Sequence, residues 1–68
     1  MGSEDVIKKE FQTKINVFDE YQKLSDGMKI FKVGSCETVI RFAEKHKGLG
    51  LEVPQRVIDY DKEYSKTI

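Results

Sequence analysis

Val6-Ile7-Lys8-Lys9-Glu10-Phe11-Gln12-Thr13-Lys14-Ile15-Asn16-Val17-Phe18-Asp19-Glu20-Tyr21-Gln22-Lys23-Leu24 is the stretch on which the fold turns. At 100° per residue, Ile7, Phe11, Ile15 and Phe18 fall on one side of a helix. Val6, Val17, Tyr21 and Leu24 lie beside them on the same half. The opposite half carries Lys8, Lys9, Gln12, Asn16, Asp19, Glu20 and Lys23. Alternation of the kind a strand needs is broken at Phe18-Asp19, while the helical spacing persists for about five turns. So wide an apolar face must lie against something.

The same logic extends outward. Ser3-Glu4-Asp5 is a good helix start, with Ser3 as cap and two carboxylates at the positive end of the dipole. Ser25-Asp26-Gly27 closes the helix, with Gly27 able to take the left-handed conformation. Met28-Lys29-Ile30-Phe31-Lys32-Val33 favours an extended conformation, and Gly34 stops it. A second helix is expected over 35–47, capped by Ser35 and ended by Gly48. Cys36, Val39, Ile40, Phe42, Ala43 and His46 share its apolar side. Pro54 opens a third helix, with Val57, Ile58, Tyr60 and Tyr64 inward and 65–68 fraying. Val39-Ile40-Arg41-Phe42 and Val57-Ile58-Asp59-Tyr60 share a pattern, read as two faces of one helical hairpin.

The expected fold is therefore mainly α: one small three-helix domain over 1–68, with a short extended segment at 28–33 as a core-plugging loop or strand. The alternative is an α+β fold in which strand 28–33 pairs with 49–53.

Bulk composition narrows the function. A chain of 68 residues buries only about 60% of its unfolded surface. A core of this size supplies roughly 3–5 kcal/mol unless something staples it. One cysteine forms no internal disulfide, and one histidine with it falls short of a structural zinc site. Tight helix packing or burial against a second chain must compensate. The 12 basic and 12 acidic residues cancel, and they cancel again within each half of the chain. That balance disfavours nucleic acid, whose binders carry a basic excess. No apolar run approaches a membrane span. The lone cysteine and the lack of an export-like start lead us to expect a cytoplasmic setting. Met1-Gly2-Ser3 receives no functional meaning.

No arrangement suits catalysis, a cofactor or a metal. Cys36 and His46 are ten residues apart, about 15 Å on one helix, too far for a thiol–imidazole pair. His46 suits packing or capping at the helix end. Gly48-Leu49-Gly50-Leu51 lacks the spacing of a phosphate loop. Asp61 is the odd residue, since it falls amid the apolar side of the third helix. A carboxylate there contacts a cation of a partner, pairs with Arg41 or Lys45, or sits at the core edge. Val53-Pro54-Gln55-Arg56-Val57-Ile58 resembles, in cadence, segments of short mobile-element proteins, and that likeness assigns no residue a role.

The leading expectation is a non-enzymatic protein-interaction or regulatory module. It would bury an apolar helical face against another protein or a second copy, through Val17, Tyr21, Leu24, Phe31, Tyr60, Tyr64 and Asp61. The alternative is a small helix-turn-helix-like DNA-binding regulator. There Gln55 and Arg56 would read base edges while Arg41, Lys45 and Lys47 touch phosphates. Asp59, Asp61 and Glu63 on the same helix count against it.

Overall fold

A computed structural model describes residues 2–64. The expected fraying of 65–68 lies outside the described residues. Three helices follow one another: α1 (Gly2–Gln22), α2 (Lys29–Lys45) and α3 (Gln55–Tyr64). Short 3-10 turns at Asp26–Met28 and Lys47–Leu49 join them, and no strand occurs among the described residues.

α1 carries Glu4 and Asp5 in its first turn, as the dipole favours. Ser3 lies inside that turn rather than before it. With 21 residues the helix is about 32 Å long and sets the long dimension of a molecule measuring 42 × 20 × 16 Å. α2 runs back along α1, so Tyr21 meets Phe31 at one end and Phe11 meets Phe42 at the other. α3 returns along α2, and Cys36 Sγ donates to the Val57 carbonyl at 3.4 Å between them.

The core is the expected stripe of α1 closed by the other two helices. Phe11, Ile15 and Phe18 pack with Cys36, Val39, Ala43 and Val57, all buried. Val39 and Val57 are wholly inaccessible. The shared pattern of α2 and α3 has a structural meaning here. Each valine lies at the centre, and the aromatic three residues later caps one α1 phenyl. The Phe42 ring stacks on Phe11 at 5.9 Å, and Tyr60 meets Phe18 edge-on at 5.6 Å. Such pairs add to what area burial alone provides. Leu51 and Val53 of the connector close the open end.

The segment 28–33 corrects the sequence reading. It is neither a plug nor a strand: Met28 ends the first 3-10 turn and Lys29 to Val33 are the opening turns of α2. The pairing partner at 49–53 is a turn followed by irregular backbone. Of its large apolar residues Ile30, Phe31 and Val33, only Val33 is buried, while Ile30 is 84% and Phe31 53% exposed. β-branched and aromatic residues favour a strand only where a neighbouring strand pairs with them. Without one, helical hydrogen bonds satisfy the backbone, and burial of Val33 and Cys36 outweighs the roughly 1 kcal/mol that Gly34 costs inside a helix. Ser35 is consequently no cap. It is buried within α2, its hydroxyl donating to the Lys32 carbonyl at 2.8 Å.

The glycines are also redistributed. Neither Gly27 nor Gly48 is left-handed; α2 ends at Lys45, and Gly50 alone among the described glycines takes positive φ, at 67°. Its amide donates to the Lys47 carbonyl and turns the chain toward α3.

Candidate functional site

α1 has a second apolar side that its own chain leaves uncovered. Among the described residues, the exposed large hydrophobic ones are Val6, Val17, Leu24, Ile30 and Phe31, all on α1, on the short link after it, or on the first turn of α2. Between the two helices lies a groove of about 580 Å³, lined by Thr13, Lys14, Val17 and Tyr21 from α1 and Ile30, Phe31, Gly34, Ser35 and Thr38 from α2. Helical spacing builds its second wall: Ile30, Gly34 and Thr38 recur every four residues. Gly34 deepens it, because nothing lies within 4 Å of the position a Cβ would take.

The lining is less polar than its residue names suggest. Thr13 donates its hydroxyl proton to the Lys9 carbonyl at 3.0 Å, and Thr38 donates to the Gly34 carbonyl at 2.9 Å. Ser35 is likewise satisfied within its own helix. The three hydroxyls thus ask little of an occupant and present their carbon atoms. The Lys14 ammonium lies 5.0 Å above the Phe42 ring, where the ring face attracts it. Beside the groove, Val6, Lys9 and Glu10 line a shallow hollow that shares Thr13 and Lys14 with it. The two form one continuous apolar strip along α1.

The structure divides the expected partner-binding residues into two groups. Val17, Tyr21 and Phe31 come together in the groove, with the Tyr21 and Phe31 rings 6.2 Å apart. Leu24 follows just past the helix end, its amide bonded to the Tyr21 carbonyl. Tyr60, Tyr64 and Asp61 belong instead to α3. Tyr60 and Tyr64 are half-buried and lie 4.4 Å apart. With Gln22, Lys29 and Lys32 they border a separate cleft of about 240 Å³. Lys29 lies 5.2 Å above the Tyr64 ring, and burial pushes the Tyr60 phenol pKa up. Asp61 is half-buried and makes no ion pair among the described residues. Neither Arg41 nor Lys45 meets it; Arg41 pairs with Glu37 at 3.4 Å.

The residues of the DNA reading are differently engaged. Arg56 forms a bidentate pair with Asp19 at 2.8 and 2.9 Å, tying α3 to α1. That pairing holds the Asp19 carboxyl below its ordinary range. Gln55 donates to Asp59 at 2.9 Å. Both side chains at the start of α3 therefore already have carboxylate partners. Lys45 at the end of α2 and Lys47 at the start of the following turn are both exposed.

The Cys36 thiol is not placed as a nucleophile. Cys36 is buried among the core residues, and desolvation, then the charges of Asp61 and Glu37, raise its thiol pKa to about 11. The His46 ring lies 4.6 Å from that of Phe42, which makes it a packing residue at the helix end. No cluster of metal-ligating side chains occurs among the described residues. No helix among them is long and apolar enough to cross a membrane.

Sequence reasoning missed six groove residues as site residues: Thr13, Lys14 and Ser35, and the α2 wall of Ile30, Gly34 and Thr38. The signal for that wall was its four-residue spacing, hidden once the segment was read as extended.

Compared with protein-family models, curated proteins and solved structures, the chain matches none.

Proposed function

We propose that this protein is a non-enzymatic interaction module that works by burying the α1–α2 groove against another polypeptide. One observation carries the reading: the exposed large apolar side chains concentrate on one strip, while comparable residues on the other side of α1 are spent on the core. Exposed apolar residues gathered on one strip, rather than scattered singly, mark an interaction surface. Phe31 and Tyr21 supply aromatic anchors, Ile30 and Val17 the aliphatic ones, and burial of their area drives association. A neutral chain offers no long-range steering, so affinity rests on fit and burial. The cytoplasmic setting and a regulatory role belong to this same proposal, as what such a module commonly serves.

The DNA-binding alternative draws less support, because Gln55 and Arg56 are held by Asp59 and Asp19. A tagged chain tests the two together. Ile30→Asp should abolish retention of whatever protein binds, whether other copies or another species, while Lys45→Glu leaves it intact. Retention that survives Ile30→Asp but disappears with Lys45→Glu or with added salt would contradict the groove reading.

A further inference from the structure

We propose that the groove is filled by a second copy of this chain, with the two α1 helices pairing antiparallel about a two-fold axis level with Ile15. This rests on the groove being an interaction surface and names its occupant.

Symmetry in the strip is the first reason. Val6 and Leu24 are equally distant in sequence from position 15, and so are Thr13 and Val17. An antiparallel copy sets Val6 against Leu24 of the second copy and Thr13 against Val17 of the second copy. All four are exposed in the single chain. The N-terminal half of each α1 then lies along the groove that Tyr21, Ile30 and Phe31 line in the other chain.

Charge is the second reason. Lys9 and Glu20 lie 20° apart around the α1 axis, on the flank of the strip away from α2, and both are exposed. In antiparallel pairing that flank meets its own counterpart, so Lys9 faces Glu20 of the second copy, twice by symmetry. With zero net charge, two copies have no overall repulsion to overcome.

Size is the third. The strip runs along α1, whose length of about 32 Å takes up most of the molecule's 42 Å long dimension, so a second α1 of equal length can cover it. A chain this short gains most from such cover.

Cysteine cross-linking tests the register on the full chain. Val6→Cys lies in the second turn of α1 and Leu24→Cys just past its end, so within one chain some four turns of helix keep them well past the ~7 Å limit of a disulfide. The double variant should oxidise to covalent dimers, and each single variant should not. Native Cys36 is buried and takes no part. Cross-linking of Val6→Cys alone would show parallel pairing and overturn the proposal. Charge exchange provides a second reading: Lys9→Glu and Glu20→Lys should each weaken dimerisation about tenfold, and the double exchange should recover most of it. No recovery would overturn the register. A wild-type chain that sediments as a monomer at about 200 μM overturns the second copy as occupant. If Ile30→Asp still abolishes binding of another protein in that case, the interaction reading survives without it.

Discussion

Both sides of α1 carry large apolar residues, and the two sets have opposite fates. On one side Phe11, Ile15 and Phe18 are buried, with Phe18 only 2% exposed. On the other, Val6, Val17 and Tyr21 line open hollows, with Val17 41% exposed. Hydrophobicity alone does not separate them. What does is the direction from which cover arrives: α2 and α3 both close on the first side, where Val39 and Val57 meet. α2 alone borders the second, and Gly34 there leaves it hollow. The fold thus consumes one apolar face and presents the other.

The comparison breaks most visibly at Phe18. Phe18→Ala removes a buried ring together with its edge-on contact to Tyr60, at a cost of about 3–5 kcal/mol. A domain this small has roughly that much stability in total, so circular dichroism should show the helical signal lost or its melting far lower. A comparable truncation on the other side, Phe31→Ala, should leave the melting of the dilute monomer within about 0.5–1 kcal/mol of wild type.

Alkali probes the buried side next. The fold holds Cys36 as a neutral thiol with a pKa near 11, above its ordinary 9.0. Stability from this group is therefore complete below pH 9 and falls as pH rises toward 11, by on the order of 1–2 kcal/mol. Cys36→Ala should flatten that part of the pH profile. Thiol reagents at pH 8 should label native Cys36 slowly and the urea-unfolded chain at once; fast native labelling would refute its burial.

A smaller effect comes from the connector that brings α3 to the covered side. Gly50 has φ of 67°, and no atom crowds the position of a Cβ. Gly50→Ala should cost about 1 kcal/mol through backbone strain alone, read as a lower urea midpoint with unchanged slope.

The smallest effect lies at the exposed tie between α1 and α3. Arg56 lowers the Asp19 pKa, so the pair stabilises the fold above the usual carboxylate range and its contribution is lost as pH falls through the lowered value. Asp19→Asn should remove that acid-limb dependence and little else, because the pair is largely exposed.

The covered side of α1 was legible because Phe11, Ile15 and Phe18 repeat over several turns, a signal set by the helix itself. Pro54 likewise marked where α3 begins, its carbonyl accepting from Val57 and Ile58. The start of α2 was not legible. Ile30, Phe31 and Val33 carry strand preference, and Gly34-Ser35 looks like a stop and a cap, so local chemistry pointed away from a helix that tertiary packing imposes. Half of the groove was hidden by that same misreading. Val17, Tyr21 and Phe31 could be named from pattern, but Ile30, Gly34 and Thr38 align only when the segment is helical. The split that sends Tyr60, Tyr64 and Asp61 to a separate cleft depends on where α3 crosses, which no spacing encodes.

Sedimentation of Val17→Asp beside wild type, with helical content measured on the same samples, tests the central division most directly. At about 200 μM the wild type should sediment near twice its 7.9 kDa mass. Val17→Asp should sediment as a monomer with its helical signal intact. A variant that loses its helices would show that Val17 belongs to the folding face, and a variant that remains dimeric would show that the uncovered face is not the interface.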